Sequence, residues 1–154
     1  QDGGKLFVVS TTDQVYVIDE PTEQIEKVYN LKGAKGAISI AYAPEEKLLF
    51  VVSQSTDNLQ ILDATDGKLK ADVKVGAGPL AVVWEPVRKL AYVANRGSDS
   101  VAVVDVNGNL VANLPGGSYA NHVFTDGKGT VWSVNKARGL NDPQGDHISR
   151  YAAK

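Results

Sequence analysis

A repeat near forty-two residues constrains this chain more than any local motif does, because self-similarity at a fixed period dictates stacked copies of one supersecondary unit. Three apolar-apolar-Asp endings, Val17-Ile18-Asp19, Ile61-Leu62-Asp63 and Val103-Val104-Asp105, follow one another at steps of 44 and 42 residues. A second series carries an aromatic at its second position: Leu6-Phe7-Val8-Val9-Ser10, Leu49-Phe50-Val51-Val52-Ser53, Ala91-Tyr92-Val93-Ala94-Asn95 and Val131-Trp132-Ser133-Val134-Asn135. A third series opens the units at Gly36, Gly78 and Gly117.

Between these anchors the spacing is too short for helices. The runs are β-branched or aromatic and are bounded by Gly, Pro, Asp and Asn, which predicts an all-β chain. With the strands lettered A to D, one unit reads A at 37–43, B at 48–54, C at 58–64 and D at 68–75. The next unit repeats this order with Asn107-Gly108 as its C–D turn, a pair that favours the positive φ angles of a two-residue hairpin. Strand D is lysine-rich in Lys68-Leu69-Lys70-Ala71-Asp72-Val73-Lys74, whereas A and B are nearly all apolar. An edge strand in water needs charge to block further pairing, so D is expected outermost. Four antiparallel strands per repeat is the sequence form of a β-propeller blade.

The expected blades occupy approximately 1–32, 36–75, 78–114 and 118–154 of one partial propeller domain, 1–154. Gln1-Asp2-Gly3-Gly4-Lys5 matches the A–B turn Thr125-Asp126-Gly127-Lys128-Gly129, so the first unit holds only B (5–10), C (14–19) and D (24–32). The last unit ends on 147–154, read as strand C. The order is BCD-ABCD-ABCD-ABC, fourteen strands, about half of a seven-bladed ring. The expected partner is the complementary N-terminal half of the same propeller, supplying D to the last blade and A to the first. The alternative is a self-contained four-bladed domain with ragged ends.

The stretch Tyr92-Val93-Ala94-Asn95-Arg96-Gly97-Ser98-Asp99-Ser100-Val101-Ala102-Val103-Val104-Asp105 resembles the YVTN repeat of bacterial β-propellers, with Ala94 in place of Thr. The final seventy residues look most like the C-terminal end of YncE-like seven-bladed propellers. WD-repeat chains match less well, since no Trp-Asp closes strand C. The resemblance implies a periplasmic or secreted bacterial protein and is nearly silent on chemistry.

Sixteen Lys plus Arg against eighteen Asp plus Glu give a net charge of -2. No global cationic field recruits nucleic acid or an anionic membrane, so any basic site must be local. No apolar run approaches the ~20 residues of a helical span and no signal-peptide pattern opens the chain, so membrane insertion is not expected. With no Cys there is no disulfide framework, zinc-thiolate site or thiol nucleophile. The chain opens on Gln1 and contains no Met, so a processed or truncated piece of a longer product is expected.

In propeller geometry the B–C and D–A loops open on one face, and binding sites favour such loops. The B–C loop from Lys136 to Asp146 is about twice as long as its counterparts at Thr11–Asp13, Gln54–Asn58 and Arg96–Ser100. The candidate ligand site comprises Arg96, Lys136 and Arg138 from B–C loops, Tyr119 and His122 from the last blade, and Asn95 and Asn135 at the ends of strand B. Lys32 and Lys35 lie on the same face. Cations beside an aromatic ring suit an anion, a phosphate backbone or stacked bases of single-stranded nucleic acid.

Asp142, Asp146 and His147 lie close together, but without an EF-hand or His-x-x-x-His spacing no metal or other cofactor is assigned. Neither a Gly-x-Ser-x-Gly elbow nor a phosphate-cradling Gly-x-x-x-x-Gly-Lys-Ser/Thr loop occurs, so no catalytic residue is assigned. Asp19, Asp63 and Asp105 recur blade by blade, which marks them as structural acceptors for turn amides before strand D. Trp84 and Trp132 lie within apolar strands and are expected as core filler. The function expected is a non-enzymatic binding platform acting through its loop face, with a protein partner or single-stranded nucleic acid. Binding of single-stranded DNA or another anion by the basic loops, and a lactonase-like enzyme with a channel metal, are the alternatives.

Overall fold

The computed structural model describes residues 4–152, and all regular structure among them is β. The first sheet contains β1 (Lys5–Ser10), β2 (Gln14–Asp19) and β3 (Gln24–Asn30). The second contains β4 (Ala37–Ala43), β5 (Leu48–Ser53), β6 (Asn58–Asp63) and β7 (Leu69–Lys74). The third contains β8 (Pro79–Glu85), β9 (Leu90–Asn95), β10 (Ser100–Asp105) and β11 (Leu110–Pro115). The fourth contains β12 (Ala120–Thr125), β13 (Thr130–Asn135) and β14 (Ile148–Ala152). Every pairing is antiparallel between chain neighbours, which is the expected BCD-ABCD-ABCD-ABC order. The parts of the first turn at Gln1-Asp2-Gly3 and of the last strand at Ala153-Lys154 lie outside the described residues.

Because side chains alternate along a strand, β5 sends Leu49 and Val51 back toward the first sheet and Phe50 and Val52 forward toward the third. The backward group packs on Val15, Val17 and Tyr29, and the forward group on Val82, Trp84, Ala91 and Val93. Trp84 stacks on Phe50 with centroids 5.1 Å apart. The third sheet repeats the arrangement, with Tyr92, Ala94, Val101 and Val103 packed against Ala120, Val123 and Val131. Sheets buried on both faces need continuous apolar strands, which is why β5 and β9 show no polar alternation. Successive sheets meet along β1, β4, β8 and β12, while β7 and β11 are largely exposed at the far edge, as the lysines of β7 led us to expect, although β11 itself carries no charge.

The end sheets differ. Leu6 and Val8 of β1 occupy the repeat positions of Leu49 and Val51, yet they are 49% and 38% exposed where their counterparts are 0%. Register places Phe124, Trp132, Val134 and Ile148 together on the outward face of the last sheet. Phe124 stacks on Trp132 at 5.2 Å, yet Phe124 and Ile148 remain exposed. The expectation of two core tryptophans is therefore corrected. Trp84 is buried, but Trp132 is only half-buried because no sheet covers its face among the described residues.

The recurring aspartates do hold the turns before strand D. Asp63 Oδ1 accepts the Thr65 amide at 2.9 Å, Asp105 Oδ1 accepts those of Asn107 and Asn109 at 2.9 and 2.8 Å, and Asp19 Oδ2 accepts that of Thr22 at 3.2 Å. The Thr65 amide, with Lys70 beside it, holds the Asp63 carboxyl below the usual carboxylate range. At the same end of the sheets, where register sets Glu85 and Asp105 on either side of Leu90, the buried Glu85 accepts the amides of Val87, Arg88 and Gly129, which ties the third sheet to the fourth.

Candidate functional site

Antiparallel pairing sets each B–C loop beside the D–A loop of its own sheet. Gln54 donates its amide to Gly36 O at 2.9 Å, Arg96 to Gly78 O at 3.0 Å and Lys136 to Ser118 O at 3.1 Å, so both loop classes share one end of the fold. Each B–C loop carries an aspartate in the left-handed region just before or at the start of strand C: Asp13 (φ 60), Asp57 (φ 53), Asp99 (φ 52) and Asp146 (φ 54). Aspartate tolerates this backbone because its short side chain bonds locally. In the first three loops the carboxylate reaches across to the next sheet, accepting the amides of Ala37 at 3.0 Å, Gly78 at 2.8 Å and Tyr119 at 2.8 Å. The same residues' carbonyls accept the amides of Leu31, Val75 and Gly116, just past the end of strand D. Sequence reasoning missed this second aspartate series, although its steps of 44, 42 and 47 residues were visible.

The clasp at Asp99 sets the position of Tyr119, itself in the left-handed region at φ 49. Two cations lie over its ring. The guanidinium carbons of Arg96 and Arg138 are each 4.8 Å from the ring centroid, within the range of a cation–π contact. Arg138 is further paired with the Asp99 carboxylate. The Arg96 guanidinium has no hydrogen bond or ion pair among the described residues. Three of the candidate residues, from three separate loops, are thus brought into one cluster between the third and fourth sheets.

Asp142 organises the long loop beneath Arg138. Its carboxylate accepts the amide of Arg138 at 2.9 Å, the Ser118 hydroxyl at 3.0 Å and the Gln144 amide at 3.0 Å. These donors, the Arg138 amide foremost, hold its carboxyl below the usual range. Leu140 projects fully exposed from the tip.

The other candidates serve differently. Asn95 is fully buried, and its amide nitrogen donates to Ser100 Oγ at 3.2 Å. Asn135 donates to Gln144 O and accepts the His147 amide at 2.6 Å. Both asparagines brace loops; the full burial of Asn95 corrects its placement among ligand-facing residues, whereas Asn135 also lines a groove beside β14. Lys136 anchors the loop through its backbone, and its side chain is exposed. His122 lies in register with Val134 on the outward face of the last sheet, where its Nδ1 is 3.1 Å from the Asn121 amide nitrogen. It therefore stands apart from the Tyr119 cluster, because the bulge in β12 and the strand alternation turn it toward the open face. Lys32 and Lys35 belong to the junction of the first two sheets, where the Lys32 carbonyl accepts Gln60 Nε2 and the Lys35 amide donates to Thr56 Oγ1. No group of three His, Asp or Glu side chains converges as a metal site among the described residues.

Two solved structures share this architecture. A chain of Kuenenia stuttgartiensis hydrazine synthase superposes with a TM-score of 0.86 at 19% identity, covering 98% of this chain and 43% of that one. A chain of a mitotic checkpoint complex superposes with a TM-score of 0.81 at 14% identity, covering 98% of this chain and 47% of that one. This chain spans less than half the length of either. At such identities the likeness concerns fold alone, and with the four antiparallel sheets it gives a β-propeller-like fold. No protein-family model matches the chain, and no curated protein matches it.

Proposed function

We propose that this chain is part of a non-enzymatic propeller that works as a recognition platform, with the Arg96–Tyr119–Arg138 cluster at the centre of its binding face. The observation that carries the reading is the Arg96 guanidinium, stacked on Tyr119 with its N–H donors unclaimed. A guanidinium with unclaimed donors beside a second cation suits phosphate or carboxylate, and the planar arginine and tyrosine groups together suit contact with a base. That arrangement favours an anionic ligand, with single-stranded nucleic acid as its most specific form. A periplasmic or secreted location belongs to the same proposal and rests on the YVTN-repeat resemblance.

The fourteen strands are read as half of a seven-bladed ring, with a complementary half of the same propeller as partner. The exposure of Leu6 and Val8, where the repeat otherwise buries Leu49 and Val51 completely, supports this reading.

The binding test uses a fluorescent oligothymidine and inorganic phosphate as competitor, titrated by anisotropy at low and moderate salt. The Arg96→Ala/Arg138→Ala variant is expected to bind at least about tenfold more weakly and to flatten the salt dependence by roughly two released counterions. Equal affinity of wild type and variant for both probes would remove the anionic reading.

A further inference from the structure

The aspartate clasp recurs four times, but only three copies reach a following sheet. Asp13, Asp57 and Asp99 each accept an amide at or just before strand A of the next sheet, and each carbonyl accepts an amide just past strand D of its own sheet. Asp146 adopts the same left-handed backbone at the same repeat position, preceding His147, which pairs with Asn135 as Ser100 pairs with Asn95. Its Oδ1 instead accepts the Ala137 amide of its own loop at 3.1 Å, and its carbonyl takes no hydrogen bond among the described residues. Beside it the free edge of β14 borders a groove of 470 Å³ lined by Pro115, Pro143, Gln144, Ile148 and Tyr151, where the second and third sheets carry β7 and β11.

We propose that Asp146 is the fourth inter-sheet clasp and that the outward face of the last sheet receives a further sheet of the same repeat. The incoming segment pairs first with β14 as a strand D, giving its terminal amide to the Asp146 carbonyl. It then delivers the amide that precedes strand A to the Asp146 carboxylate. Phe124, Trp132, Val134 and Ile148 pack against the new sheet as Tyr92, Ala94, Val101 and Val103 pack against the fourth. The interface continues one that the fold already makes three times.

The geometry also selects the occupant. The donor lies at the start of strand A, and the first sheet of this chain has no strand A among the described residues. A second copy docking by that sheet would leave the clasp empty. The inference rests on the partial-ring reading above and adds to it the residue that recognises the next sheet and the order in which that sheet engages.

The chain has no cysteine, so a single Ile148→Cys substitution reports the accessibility of this face to a maleimide. The probe for the missing sheet is the full chain extended after Lys154 by a second copy of residues 66–115. That copy brings β7, the Gly78 amide already taken by Asp57, and β8 to β11. Labelling of the introduced thiol is expected to slow at least about tenfold in the folded, extended chain, and adding Asp146→Ala is expected to restore most of the lost rate. Protection that survives Asp146→Ala overturns the clasp while leaving the partial ring intact. Absence of protection in a folded extension overturns both. A separate arm uses the unextended Ile148→Cys chain mixed with excess wild type, where labelling should be unchanged. Protection there makes a second copy the occupant and overturns the proposal whether or not the extension folds.

Discussion

At Tyr119 a bulky residue holds a left-handed backbone that an L side chain ordinarily avoids at a cost of about 1–2 kcal/mol. The Asp99 carboxylate offsets that cost by accepting the Tyr119 amide, and its second oxygen holds Arg138 over the ring. Asp99→Ala is therefore expected to lower stability by about 1–3 kcal/mol in urea unfolding, and it should also weaken anion binding by releasing the stack. Asp99→Asn keeps an acceptor for the amide while removing the charge that fixes Arg138. It should retain most of the stability and still change affinity, which separates the two roles of one side chain. Equal stability loss in both variants would show that the ion pair, and not the amide, matters. The cation pair and its aromatic partner were legible as residue types at loop positions, but the carboxylate that assembles them was not. An aspartate just before a strand reads locally as a turn residue, and only the sheet beyond shows what it reaches.

Between elements, the joints rely on glycine where one sheet's turn meets its neighbour's outer strand. Gly67 sits in the C–D turn of the second sheet at φ +71, and a Cβ there would overlap the ring of Tyr29 on β3. Tyr29 in turn donates its hydroxyl to Ala64 O at 3.0 Å, so the contact is both packed and hydrogen-bonded. Gly127 has a similar φ of +67 with nothing within 4 Å of the added carbon. Gly127→Ala should thus cost about 1 kcal/mol of backbone strain, whereas Gly67→Ala should cost roughly 1–3 kcal/mol more from overpacking. Denaturant midpoints of the two variants measure the difference, and equal midpoints would mean the Tyr29 ring yields freely. The strands themselves were readable almost to the residue, because apolar runs, turn residues and charged edges are all short-range signals. Asn95 was misplaced for the converse reason. A polar residue ending an apolar strand looks available, and its burial depends on loops that fold back over it.

Across the molecule, position in the array decides what an identical residue contributes. Leu6 and Leu49 stand at the same point of the repeat, one 49% exposed and the other fully buried. In the 154-residue chain Leu49→Ala is expected to cost about 2–5 kcal/mol and Leu6→Ala less than about 1 kcal/mol. Urea unfolding of the two variants checks this, and comparable losses would show that the first sheet's outer face is already covered. The amino-acid sequence alone determined the number, order and neighbour-to-neighbour pairing of the strands, because a period near forty-two residues and the turn chemistry within it are properties of neighbours along the chain. Tertiary structure decided the rest: that Arg96, Tyr119 and Arg138 share one ring, that His122 and Trp132 face outward, and that three aspartates clasp a following sheet while a fourth does not. Those outcomes depend on how one sheet is rotated against the next, and that rotation is set by side chains meeting across the interface, which no pattern within a single repeat encodes.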